Sequence, residues 1–430
     1  MNNPVIKRDF YLNKLIGRKN NGLIKVVTGI RRSGKSYLLF NLFYNHLTES
    51  GIAPSHIITV SLDDDTQTAY RDPAELSAYI RSRITDSDMY YILIDEVQYA
   101  ISKEELKNPD EIKLYNVLNG IMRLNNVDIY VTGSNSKMLT KDVMTAFRGR
   151  GDSVKVYPLS FGEYYAYFGG DKADAYENYS LYGGMPLVLF RKTDADKINY
   201  LKDLFSETYF KDISERYNIE MPDVLEELTN DICSSVGSLT NASKIENTLK
   251  TVKNIKVSSS SVSKYLDYLV ESFLFEKANR YDVKGKKYFE YPSKYYCTDP
   301  GLRNARLNFR QQEETHIMEN IVFNELRRRD YAVDVGVVEV CDTENGKRTK
   351  KQCEIDFVVN NGSKRYYIQT ALNVEDSRKM QTELRPLKSV NDFFKRIIIT
   401  KSNSRAWTDE DGILHLGLYE FLLNENSLEL

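Results

Sequence analysis

At 430 residues the chain is long enough for two to four domains, each able to bury its own core. Charged residues make up 28% of it, yet the net charge is only −2, so no overall basic field points to nucleic acid and any such surface is local. The four cysteines, Cys233, Cys297, Cys341 and Cys353, lie far apart without a C-x-x-C pair, which argues against a zinc site or a disulfide scaffold. They read as reduced thiols of a cytoplasmic protein. The stretch MNNPVIKRDFY lacks a basic region followed by an apolar one, and no run approaches 18 apolar residues, so neither export nor a membrane span is expected. His46, His56, His316 and His415 stand alone and read as ordinary positions, not metal ligands.

Residues 1–22 carry Arg8, Tyr11, Leu12, Leu15 and Ile16 at helical spacing until Asn20-Asn21-Gly22 breaks it, which predicts a helix. Residues 23–28 form a short, apolar, β-branched strand. The next eight, Gly29, Ile30, Arg31, Arg32, Ser33, Gly34, Lys35 and Ser36, read GIRRSGKS and satisfy G-x-x-x-x-G-K-[ST] at every fixed position. Tyr37 continues into an amphipathic helix, so the motif sits at the strand-to-helix turn that its chemistry requires. The two glycines let the backbone bend until successive N–H groups and the helix N-terminus face an anion. Residues 29–37 are therefore expected to bind ATP or ADP, with Lys35 reaching the β- and γ-phosphates and Ser36 holding Mg2+. The helix of residues 1–22 is expected to pack beside this site, within reach of adenine.

A second strand over residues 56–62 ends in Asp63-Asp64-Asp65, and a helix follows near residues 73–85. Residues 90–96, YYILIDE, read as a fully buried strand that ends in two carboxylates. Following a phosphate loop, that ending is what phosphoryl transfer to water needs: Asp95 to organise magnesium with Ser36, and Glu96 to orient or deprotonate the attacking water. Residues 104–124 look helical, and residues 127–135 form another strand, from whose end Ser134 or Asn135 is placed to sense the γ-phosphate. Arg148 and Arg150 lie on a glycine-rich turn from which either guanidinium can reach phosphate of this or a neighbouring subunit; a solvated basic loop is the alternative. Strands alternating with helices from 23 to 160 demand a mostly parallel sheet covered on both faces, an α/β fold.

The motifs GIRRSGKS, LIDEVQ, VTGSNSKML, FRGRG and YPLSFGEYY, in this order, resemble the AAA-type ATPases of bacteria and archaea that carry a C-terminal domain of unknown function (DUF4143-like). The resemblance implies an AAA-like P-loop core that binds ATP, an arginine near the γ-phosphate, either Arg148 or Arg150, and Gln98 close to the site. It also covers a helical, aromatic cap beyond the core, interrupted by a Gly183-Gly184-Met185-Pro186 turn.

Residues 222–299 change character again. Helices over 224–235, 243–252 and 260–272 precede two strands, 274–281 and 288–291, joined at Lys284-Gly285-Lys286-Lys287, which suggests a winged helix-turn-helix. Residues 240–290 hold ten Lys and Arg against six Asp and Glu, a difference of +4 and the most basic fold-sized surface in the chain. Phosphate contacts by Lys264, Lys284, Lys286 and Lys287 would each steepen the salt dependence of duplex binding by about 0.9. Winged helices also serve as protein contacts, so both partners stay open.

Beyond residue 300 come a long helix over 313–329 and strands over 333–340, 353–359 and 365–371. Glu319 on the helix, Asp356 on a strand and Gln369 on the next resemble in layout the metal-binding constellation of the PD-(D/E)xK nucleases. Such chemistry needs hard oxygen ligands for magnesium and a lysine beside the water. Ala371 stands at the lysine position. The expectation is a restriction-endonuclease-like α/β domain that has lost cleavage, unless a lysine such as Lys379 has migrated; ordinary strand roles for Glu354 and Asp356 are the alternative.

The chain thus reads as an ATPase core (1–160), a helical lid (161–221), a winged helix-turn-helix (222–299) and a degenerate nuclease-like domain (300–430). Expected ligands are ATP and Mg2+; double-stranded DNA, a protein partner and further copies of the chain are the candidate partners. An ATP-binding scaffold with little turnover and an ATP-gated nuclease are the competing functions.

Overall fold

The computed structural model describes residues 5–102, 104–105, 112–133, 149–344, 347–372 and 377–430. They form two compact units, one of residues up to 158 together with 271–273, the other of residues 159–270 and 274–430. Among the described residues no helix is long and apolar enough to cross a membrane.

The first unit is built on five strands: β1 (Ile24–Thr28), β2 (Ile57–Ser61), β3 (Tyr90–Asp95), β4 (Val127–Gly133) and β5 (Gly151–Lys155). They are all parallel, in the order β2-β3-β4-β1-β5. β1, β3 and β4 are buried along their whole length, which is why they read as continuous apolar runs and not as alternating ones. Both faces are covered because successive side chains point to opposite sides. Val26, Ile92 and Ile94 join one apolar cluster with Leu114 and Leu118, while Val27, Tyr91 and Leu93 join another with Tyr11, Leu15 and Leu38. Each such side chain contributes roughly 1.5–3 kcal/mol of burial. The expected N-terminal helix is present as Asp9–Ile16, buried through Tyr11 and Leu15.

A parallel sheet gathers the carboxyl ends of its strands on one edge. The register places Thr28 beside Gly133 and Ser61 beside Asp95. β4 lies between the strand that leads into GIRRSGKS and the strand that ends in Asp95, so residues at its end sit between the two.

The second unit begins with helices. Phe161–Phe168 opens on a capping box between Ser160 and Glu163. Lys172–Tyr182 ends at Gly183, whose φ is +73° and whose hypothetical Cβ would lie 2.1 Å from Asp299 Oδ1, so only glycine fits there. Helices Pro222–Ser234, Ala242–Val252 and Ser259–Glu271 occupy the three positions read from the sequence, the last burying Val262, Tyr265, Leu266 and Leu269.

The hairpin that follows belongs to a larger sheet. Its strands, β6 (Phe275–Asp282) and β7 (Lys287–Cys297), form one end of an eight-stranded sheet with β8 (Ala332–Glu344), β9 (Lys347–Asn361), β10 (Lys364–Ala371), β11 (Lys395–Thr400), β12 (Trp407–Thr408) and β13 (Ile413–Gly417). The order is β12-β13-β11-β10-β9-β8-β6-β7. β6 pairs in parallel with β8 through Arg280–Asp282, and its register with β7 shifts between Ala278 and Arg280. A bulge of this kind bends the pair and re-aims the side chains beyond it. The sheet therefore runs across the boundary expected at 299/300, and the turn Lys284–Lys287 is exposed.

Candidate functional site

GIRRSGKS forms a cradle whose shape follows from its glycines. Gly29 has φ +142°, and a Cβ there would lie 2.1 Å from the carbonyl oxygen of Val156; Gly34 has φ +94° and caps the helix that starts at Lys35. The Ser33 N–H donates to the Ile30 carbonyl at 3.3 Å and the Leu38 N–H to the Gly34 carbonyl at 2.9 Å, which closes the turn and starts the helix. Arg31 and Arg32 face solvent, Arg32 in the left-handed region at φ +62°. Lys35 is buried and its Nζ donates to the carbonyls of Gly29 and Ile30 at 3.0 and 3.1 Å. Burial pushes its pKa down, opposed by the nearby Glu96 and Asp95 carboxylates.

The loop is braced from outside the motif. Arg8, buried, donates to the Ser33 carbonyl at 2.9 Å and to the Tyr157 carbonyl at 2.8 Å, and its guanidinium lies 4.6 Å from the centre of the Tyr11 ring. The Tyr11 hydroxyl in turn accepts the Tyr157 N–H at 3.0 Å. The N-terminal segment thus packs against the loop as expected, through a guanidinium clamp.

Asp95 is buried at the end of β3, and its carboxylate accepts a hydrogen bond from the Thr132 hydroxyl. Burial raises its pKa, and the Ser36 and Thr132 hydroxyls work against the shift. Glu96 is held in the left-handed region at φ +52°, a conformation that costs of order 1–3 kcal/mol outside glycine. Its N–H donates to Thr132 Oγ1 at 3.1 Å and its carboxylate accepts from the Gln98 amide. Thr132 therefore joins both acids through one hydroxyl. The sequence directed attention two and three residues further on, to Ser134 and Asn135; these lie outside the described residues, as does Arg148. Arg150 is described and exposed, and its carbonyl accepts the N–H of Ile24 at the start of β1. That is the opposite edge of the sheet, five strand residues and about 16 Å from the cradle, so the structure does not bring Arg150 to Lys35 within the chain.

The donor set suits a nucleotide with its metal. Ser33 is fully buried and its Oγ finds no partner among the described residues, and Lys35, the loop and the Ser36–Asp95 pair supply cation, N–H donors and hard oxygens.

The family described as "AAA domain" matches residues 21–165, "Domain of unknown function (DUF8612)" matches 173–313, and "Domain of unknown function (DUF4143)" matches 314–420. A Haemophilus influenzae protein described as uncharacterized is 32% identical over 429 residues, covering 98% of this chain and all of that one. The chain belongs to the AAA-type family with a C-terminal DUF4143 domain. A second relative of this AAA–DUF4143 chain, an uncharacterized Methanocaldococcus jannaschii protein, is 26% identical over 425 residues, 95% of this chain and 86% of the other. Among solved structures it is similar to the Aeropyrum pernix Orc1 protein in complex with DNA, at 13% identity and a TM-score of 0.31 over 71% of this chain and 93% of that one. It is also similar to Cdc6p of Pyrobaculum aerophilum, at 12% identity and a TM-score of 0.30 over 74% and 94%.

Within the DUF4143 part of this family member, the three residues singled out from the sequence converge. Glu319 lies on the helix Glu314–Arg328, Asp356 on β9 and Gln369 on β10, and all three are buried. Asp356 accepts the Thr370 N–H at 2.8 Å, the Thr370 hydroxyl at 2.6 Å and the Gln369 amide at 3.1 Å; the same amide donates to Glu383 at 3.0 Å. Ala371 ends β10 without a cation, and Lys379 is exposed. The cation comes from elsewhere. Lys294, on β7 beyond the bulge, lies 2.9 Å from Glu319 and 2.6 Å from Glu354. Sequence reasoning missed it because it is 62 residues before Asp356 and three beyond the second wing strand expected over 288–291; the one available signal was a lone lysine in Ser293-Lys294-Tyr295-Tyr296-Cys297.

Proposed function

We propose that this chain is a magnesium-dependent ATPase whose nucleotide state switches a C-terminal unit in contact with double-stranded DNA or a protein partner. The observation that carries the reading is that one edge of the parallel sheet gathers Ser36, next to the buried Lys35 of the cradle, and Asp95, the buried carboxylate at the end of β3. These are the two groups that would hold Mg2+, from sequence positions 59 residues apart.

Residues 29–37 bind the triphosphate through backbone N–H groups and the helix N-terminus, and Lys35 leaves the Gly29 and Ile30 carbonyls for the β- and γ-phosphate oxygens. Magnesium, when bound, screens the charge that builds up on the phosphate oxygens. Glu96 aligns the attacking water and takes its proton, held in place by the Gln98 amide and the Thr132 hydroxyl. The expected order of events puts partner contact downstream of turnover.

Phosphate release tests the reading. Glu96→Gln is expected to bind ATP as tightly as the wild type and to lose turnover, whereas Lys35→Ala loses ATP binding; a Glu96→Gln protein with unchanged turnover sinks it. Wild-type protein that binds ATP and releases no phosphate points to the scaffold instead. The DNA arm rests on the exposed lysines of the β6–β7 turn and on Lys264. Duplex affinity that falls with salt, at a slope reduced by about 0.9 for each lysine removed, supports DNA, and a flat response supports a protein partner.

A further inference from the structure

Two acids of the C-terminal unit, the buried Glu319 and the half-buried Glu354, hold a cation that the chain supplies itself. Lys294 Nζ contacts the carboxylates of Glu319 and Glu354 at 2.9 and 2.6 Å, and Asp356 lies within electrostatic reach of it. The Lys294 side chain is 3% exposed and that of Glu319 8%. Neighbouring groups fix Glu319 and Asp356 in place. The Tyr296 hydroxyl donates to the same Glu319 oxygen at 2.7 Å. A Cβ on Gly237 would come within 3.1 Å of that oxygen, so backbone closes the cluster there. Asp356 already accepts three donors, two of them from Thr370.

From this geometry we infer that the Lys294 ammonium occupies the position a divalent ion would take between Glu319 and Glu354, with Asp356 nearby. The C-terminal unit is thereby closed to Mg2+ and Mn2+ and does not cleave phosphodiesters. The Glu319 and Glu354 oxygens that meet at the Lys294 ammonium are of the kind a hard divalent ion takes, and magnesium would hold such oxygens at about 2.0–2.1 Å. An ion at that point and an ammonium within hydrogen-bond distance of the same oxygens repel each other, so the two exclude one another. Removing the tethered charge leaves buried carboxylates without a counter-ion, a state that a free divalent ion relieves. The bulge between Ala278 and Arg280 places Lys294 here, and the hairpin acts as an internal plug. This inference is independent of the ATPase reading.

The test is Mn2+ binding by the full chain without nucleotide, in an Asp95→Asn background so that the cradle adds no metal signal. Calorimetric titration and thermal unfolding are compared for the background protein, Lys294→Met, and Lys294→Met with Asp356→Asn. The background protein is expected to give no Mn2+ response. Lys294→Met is expected to be less stable and to gain about 5–10 °C in Tm with Mn2+ at 100 times its Kd, and the added Asp356→Asn to remove that gain. If Lys294→Met does not fold alone, recovery on refolding with Mn2+ supports the inference and failure to recover overturns it. Mn2+ binding by the background protein that Asp356→Asn abolishes also overturns it. So does a folded Lys294→Met that takes up no Mn2+, or plasmid nicking by the wild type that is lost in Asp356→Ala.

Discussion

The guanidinium of Arg8 donates to the carbonyl of Ser33 at 2.9 Å, so a residue 25 positions upstream fixes the middle of the phosphate cradle. Its second bond, to Tyr157, ties the same side chain to the segment that follows β5. Both acceptors are carbonyls that Arg8 keeps from being buried without a donor, and losing them costs about 1–3 kcal/mol. Arg8→Met is expected to lower stability by that amount and to weaken ATP binding roughly tenfold through a looser loop. Nucleotide titration and denaturant unfolding check this; a variant with wild-type Kd and stability rules the clamp out.

Thr132 links the two acids of the site by one hydroxyl, donating to Asp95 and accepting from the Glu96 N–H. Thr132→Val keeps the shape and removes that link. Turnover at saturating ATP is expected to fall roughly 100-fold, the size of a lost positioning contact in proton transfer, while ATP affinity changes by less than about threefold. Single-turnover phosphate release separates the two; a loss of affinity with unchanged turnover assigns Thr132 to binding instead.

Asp299 gives the pH dependence a direction. It is fully buried, accepts the N–H groups of Gly184 at 2.6 Å and Leu302 at 3.0 Å, and burial pushes its carboxyl up to about 6 from 3.8. Between those values the folded chain keeps a proton that the unfolded chain has released. Stability from this group therefore falls as the pH rises through the window, by about 3 kcal/mol in all, and levels off above pH 6. Asp299→Asn is expected to lose less stability than the wild type between pH 4.5 and 7 in urea unfolding. Equal losses in both proteins refute the assignment.

The sequence read the phosphate cradle and its acids from runs of adjacent residues. GIRRSGKS carries its own geometry, since glycines at fixed offsets between a strand and a helix dictate a turn with inward N–H groups. YYILIDE likewise announces a buried strand with acids at its end. What needed the folded chain were contacts between distant positions. Arg8 reaches Ser33, Thr132 sits between Asp95 and the cradle because β4 inserts between β1 and β3, and Arg150 falls on the far edge because β5 starts there. Lys294 is the clearest case. Periodicity identified a hairpin at that place, but periodicity is local and says nothing of which sheet an edge strand joins. Pairing with β8 and a three-residue shift in register between β6 and β7 decided that, and with it which charge stands among the buried acids.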